Sequence, residues 1–93
     1  MHTNIQGIEY DPAKAAVNVR KHGVGFADAE QVLRDPNGIT VEDPDAEDEP
    51  RYVTLGMDAA GRVLVVVWTP RRGKARVMSA RKASRNEAKS YAQ

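Results

Sequence analysis

The sequence predicts an α+β fold in which two N-terminal helices and a C-terminal helix pack on an antiparallel meander sheet. Three observations lead there. Apolar residues recur at helical spacing in the first third of the chain, the period changes to strand-like runs from Ile39 onward, and a helix-capping signature returns near the end. A chain of 93 residues supports one modest core, so residues 1–93 are expected to form a single domain.

Ile5 to Tyr10 reads as a short strand. Asp11-Pro12 then starts a helix, with an acceptor at the N-cap and a ring already fixed near helical φ at the first position. Lys21-His22 ends it, because Gly23 suits the left-handed residue after the helix and cations suit the negative end of its dipole. Phe26, Ala29, Val32 and Leu33 mark a second short helix, closed by the turn Asp35-Pro36-Asn37-Gly38. Ile39 to Val41 and Tyr52 to Met57 read as strands, the second running into an Asp58-Ala59-Ala60-Gly61 loop. Val63 to Trp68 is apolar on both faces, as a central strand is. Pro70 to Gly73 reads as a turn and Ala75 to Ser79 as the next strand. Ser84 with Glu87 three residues on forms a capping box, which predicts a last helix from Arg85 to about Tyr91.

Composition removes several classes of chemistry. There is no cysteine, which excludes disulfides, zinc fingers, iron–sulfur clusters and thiol catalysis. His2 and His22 are the only imidazoles and show no ligand-like spacing to a carboxylate, so neither metal nor cofactor is expected. No apolar run is long enough for a membrane span, and MHTNIQGIEYDP holds no signal-peptide core; a cytoplasmic protein is expected. The formal net charge of +1 hides an asymmetry. Residues 1–61 carry five Lys or Arg against twelve Asp or Glu, and residues 62–93 carry nine against one, so a net of −7 adjoins a net of +8. The basic third points to a polyanionic partner. The acids gather at Glu42, Asp43, Asp45, Glu47, Asp48 and Glu49, where mutual repulsion predicts a mobile loop.

Asp11-Pro12-Ala13-Lys14, Asn18, Lys21-His22-Gly23-Val24, Phe26, Asp35-Pro36 and, after a Val-rich strand, Ser79-Ala80-Arg81-Lys82-Ala83 together resemble the BrnT family of toxins from bacterial type II toxin–antitoxin systems. The resemblance spans nearly the whole chain. It implies a RelE-like ribonuclease fold, metal-independent RNA cleavage that halts translation, and a BrnA-like antitoxin that also binds operator DNA. It further implies a toxin pair joined to an antitoxin pair. The chain departs from the family pattern in the acidic loop, with Ala46 in place of a His and Pro50 in place of a Glu before Arg51, leaving Glu47 or Glu49 to substitute.

Metal-free RNA cleavage needs cations on the phosphoryl oxygens and a group that moves protons. Arg suits the first task because its planar fork matches a phosphate and stays charged. Arg51, Arg76 and Arg81 are expected to converge as the phosphate cluster: Arg76 lies on the last strand, where two-residue alternation puts it on the other face from Val77, Arg81 just past that strand's end, and Arg51 at the start of a neighbouring strand. The plainer reading makes Arg76 and Arg81 exposed charges or partners of the acidic loop. His22 is the candidate for proton transfer, with Lys21 beside it to stabilise charge, against the plainer role of binding terminal helix carbonyls. Arg71, Arg72, Lys74 and Lys82 are candidate RNA contacts. Trp68 either stacks on a base or belongs to the core. Ser79 and Ser84 lack triad partners, and Gly23-Val24-Gly25 lacks the rest of a dinucleotide loop. Two other functions stand beside the toxin: a nucleic-acid-binding module without catalysis, and a protein-interaction scaffold using the acidic loop and a sheet edge.

Overall fold

The structure is a computed structural model that describes residues 6–93. Its order is β1 (Ile8–Glu9), α1 (Pro12–His22), α2 (Phe26–Leu33), β2 (Ile39–Glu42), β3 (Tyr52–Met57), β4 (Val63–Arg71), β5 (Lys74–Lys82) and α3 (Arg85–Ala92). Ile5, read above as the start of the first strand, and His2 lie outside the described residues.

The sheet order is β1-β5-β4-β3-β2. Strands β2 to β5 form the expected antiparallel meander, but β1 pairs in parallel with β5, Ile8 beside Ala75 and Glu9 beside Arg76. The sheet is therefore mixed, which corrects the purely antiparallel expectation. A parallel neighbour needs a long crossover, and here the whole chain from α1 to β4 supplies it.

Local signals set the helix ends. Asp11 Oδ1 accepts the Ala13 N–H at 2.8 Å, and Gly23 closes α1 at φ 70°, its N–H donating to the Val19 carbonyl. Ser84 and Glu87 make the reciprocal capping box of α3. Between β4 and β5 the turn is shorter than predicted. Strand β4 runs on to Arg71, and Arg72-Gly73, with φ of 54° and 80°, forms a two-residue turn of the kind that matches strand twist. Pro70 is tolerated inside β4 because its partner Ala75 donates to Gly7, just before β1, so this pair asks for no N–H from position 70.

One face of the sheet carries Leu64, Val66, Trp68, Val77 and Ala80 against Phe26, Ala29, Val32 and Leu33 of α2. Gly56 lets α2 come this close, since a Cβ there would stand 2.9 Å from the Val32 carbonyl oxygen. Trp68 is 3% exposed, donates its indole N–H to Thr54 Oγ1 and lies 5.0 Å, centroid to centroid, from Tyr52. Its ring offers no platform for a base, and the core reading replaces the RNA contact. Tyr91 of α3 donates to Asp35, which also accepts the Met57 N–H and so ties α3 to the start of the meander.

Beyond Arg76 the outer edge of β5 has no strand beside it among the described residues. Helix α1 takes that place through Asn18, whose amide nitrogen donates to the Ala80 carbonyl at 2.8 Å while its oxygen accepts the Ala80 N–H at 3.1 Å. The same nitrogen donates to the Val24 carbonyl. Asn18 thus answers β5 as a strand residue would, in a buried setting where a lost partner is costly. Asn18→Ala leaves these backbone groups unpaired and is expected to destabilise the fold by about 2–4 kcal/mol. A lowered denaturant midpoint with an unchanged slope in guanidinium unfolding checks this.

Candidate functional site

Docking α1 along β5 creates a surface of joined hollows. The hollow between the helix and the strand, about 320 Å³, is lined by Lys14, Val17, Asn18, Lys21, His22, Met78 and Ser79 among others. A second, about 160 Å³, has Lys14, Thr69, Arg71, Arg76, Met78 and Glu49 in its walls. A third, about 350 Å³, lies under the acidic loop and includes Glu47, Glu49, Arg51, Thr69 and Met78. Met78 lines all three, so they form one surface. It projects there because it is the extra residue of a β-bulge: Val77 pairs with Trp68 and Ser79 with Val67, leaving Met78 unmatched.

The structure therefore gathers Lys14, Arg51, Arg71 and Arg76 around Thr69 and Met78, with Lys21 and His22 on the far side of Met78 in the hollow beside α1. Arg76 pairs across the sheet with Thr69, and Arg51 immediately precedes β3, where Tyr52 pairs with Trp68; this sets Arg51 at the same level of the sheet as Arg76. Arg81 is elsewhere. Rather than following β5 it lies within it, opposite Val65, five residues and roughly 15 Å along the strand from Arg76. It lines none of the three hollows. Arg72 and Lys74 lie at the exposed tip of the β4–β5 hairpin, and Lys82 is exposed at the opposite end of β5.

Hydrogen bonding separates the arginines further. Arg81 makes a two-pronged contact with Glu87 at 2.8 and 2.9 Å, and Glu87 Oε1 also accepts the Ser84 N–H. Arg62 donates to Asp58 at 2.8 Å and to Asp28 at 3.0 Å. Arg51 donates its Nε to Asp43 at 2.8 Å, a bond that closes the base of the acidic loop. That loop has internal order: the Asp43 carboxylate also accepts the Asp45 N–H, and these contacts, the backbone one first, hold its carboxyl below the usual carboxylate range. Arg71 and Arg76 differ. Their nearest carboxylate is Glu9 Oε1, at 3.8 and 3.6 Å, close enough for attraction but too far for a hydrogen bond, and among the described residues their donors have no partner.

Sequence reasoning missed Lys14, Thr69 and Met78 in this surface, and Glu9 beside its two arginines. Glu9 and Lys14 were within reach, since both flank the recognisable Asp11-Pro12 helix start; the bulge that presents Met78 has no sequence signal of its own.

A family model described as the ribonuclease toxin BrnT of type II toxin–antitoxin systems matches residues 10–87. The structure is similar to the 1.1 Å crystal structure of the Brucella abortus ribonuclease toxin BrnT, with a TM-score of 0.63 and 28% sequence identity, over 85% of this chain and 97% of that one. No curated protein matches the sequence.

Hydrogen bonds from Arg81 first, and then from the Ser84 N–H, bring the Glu87 carboxyl down to about 2 from an ordinary 4.5. A carboxyl lowered in the folded state contributes stability above its unfolded value, and that contribution is lost as pH falls from about 4.5 through about 2. With the two side chains 43% and 35% exposed, solvent screening holds it to ~1 kcal/mol. Glu87→Gln is expected to lose this increment at pH 7 and to converge on the parent protein near pH 2, measured as unfolding free energy against pH.

Proposed function

The chain belongs to the BrnT family of ribonuclease toxins of type II toxin–antitoxin systems, and from that premise we propose that it is a single-domain, RelE-like endoribonuclease acting in the cytoplasm without a metal. The observation that carries this reading is the pair Arg71 and Arg76, two guanidinium groups with free donors facing a hollow lined by Lys14 and Thr69. Attack of a ribose 2′-oxygen on the adjacent phosphorus forms the P–O2′ bond as the P–O5′ bond breaks, leaving a 2′,3′-cyclic phosphate and a 5′-hydroxyl. Negative charge builds on the two non-bridging oxygens during that step, where an arginine fork acts most strongly. In this reading the 2′-hydroxyl proton leaves to water and the 5′-oxygen takes one from it, Lys14 and Arg51 hold the flanking phosphates, and Lys21 and His22, which line the neighbouring hollow with Lys14, meet the strand further along. Arg81, bonded to Glu87, keeps β5 and α3 together instead of meeting RNA. Cleavage of this kind halts translation, and a BrnA-like antitoxin, in an assembly of two toxins with two antitoxins, relieves it by covering the cationic surface.

A second reading, RNA binding without cleavage, draws on Ala46 and Pro50, which line the hollow under the acidic loop and carry no acid–base group.

Purified protein is expected to cut single-stranded RNA equally with and without EDTA. Arg76→Ala should slow cutting by about 10²- to 10³-fold with its melting temperature unchanged. Arg81→Ala should do the reverse, losing stability and retaining the rate per folded molecule. Intact RNA bound by the wild type would favour the second reading.

A further inference from the structure

Among the described residues, Glu9 Oε1 is the one buried side-chain oxygen or nitrogen with no hydrogen-bond partner. A buried carboxylate oxygen without a bond is costly, and its neighbours account for its presence. Glu9 sits in β1 beside Arg76 of β5, and Arg76 sits opposite Thr69 of β4, two residues from Arg71. The two guanidinium groups therefore approach the same oxygen from adjacent strands, at 3.6 and 3.8 Å. Without a negative charge between them they would repel each other and swing apart into solvent.

We propose that Glu9 is a positioning residue that holds Arg71 and Arg76 side by side as one receptor for a single phosphodiester while leaving their N–H groups unspent. The other arginine–carboxylate contacts among the described residues, at Arg34, Arg51, Arg62 and Arg81, each include a hydrogen bond of 2.8 to 3.2 Å, so part of each fork is already committed to a carboxylate. At Arg71 and Arg76 it is not. The separation from Glu9 is long enough to keep the donors available and short enough to fix where they point. The short parallel strand β1 thus has a task beyond closing the sheet: it delivers one carboxylate to the two arginines that line the hollow. The effect of Glu9 on catalysis rests on the ribonuclease reading given above; its effect on the arginines does not.

Glu9→Gln tests both. The expected results are faster motion of the Arg71 and Arg76 side chains in ¹⁵N relaxation of their Nε–H groups, and a maximal single-turnover rate on a short single-stranded RNA lowered about 10- to 100-fold. Affinity for the same RNA should hold or tighten, since a negative charge has left the site. In an Arg71→Lys, Arg76→Lys background the same substitution should change the rate no further, because the groups it acts through are gone. Unchanged arginine motion, an unchanged rate, or rate and affinity falling together with the melting temperature would overturn the proposal. If the wild type binds RNA without cutting it, the ribonuclease reading fails, and the relaxation measurement alone still decides whether Glu9 orders the pair. Should Glu9→Gln not fold, Glu9→Asp, which withdraws the carboxylate by one methylene, is read the same way: looser arginines support the proposal and unaltered ones refute it.

Discussion

The contact between Asn18 and Ala80 is the constraint on which the working surface depends. A sheet edge that ends in mid-strand exposes backbone groups that must find partners, and a helix has none to lend from its own backbone. A side-chain amide solves this because it presents one donor and one acceptor with the spacing of a peptide group. Once Asn18 has answered Ala80 on both sides, α1 cannot rotate or slide along β5. Lys14 and Lys21, one turn before it and about one turn after, then face the same hollow. The position of the cations follows from one neutral residue that carries no charge.

The arginines show that abundance of positive charge is a poor guide to where an anion binds. Each guanidinium has five donors, and the state of those donors distinguishes a structural arginine from a receptive one. Arg81, with two donors on Glu87, is a clasp between a strand and a helix. Arg62 bridges two aspartates, one in α2 and one in the β3–β4 loop, and serves the same end. What remains receptive is set by what the fold leaves unbonded.

Most elements could be read from the chain because their signals are local. Asp11-Pro12 and Gly23 bracket α1, and the Ser84–Glu87 capping box starts α3, each within a few residues of the structure it dictates. Long-range relations were hidden. Nothing in Ile8-Glu9 says that its partner is Ala75-Arg76 across more than sixty residues, so a parallel edge was invisible. The end of β5 was misplaced for a related reason. Ser79 to Lys82 contains small and charged residues with weak strand preference, and it is held extended by β4 on one side and by Asn18 on the other. That error carried into the site, since an Arg81 beyond the strand is free to turn toward Arg76, whereas an Arg81 inside it points where the pleat sends it. The Glu87 contact also escaped notice, although a capping glutamate that folds back on Ser84 is already aimed at the strand before it.

The acidic loop faces the same hollows as the cations, with Glu49 in the wall beside Arg71 and Arg76. The acidic loop and the arginines Arg71 and Arg76 are therefore neighbours in space. Seen from beyond a Debye length of about 8 Å, their fields largely cancel, and a polyanion drifting past feels little pull. Inside that distance the cancellation fails, and a phosphate entering the hollow meets bare guanidinium on one side and carboxylates on the other. On the proposed reading, such a site would select by how a strand fits once it has arrived, with long-range attraction contributing little to that choice.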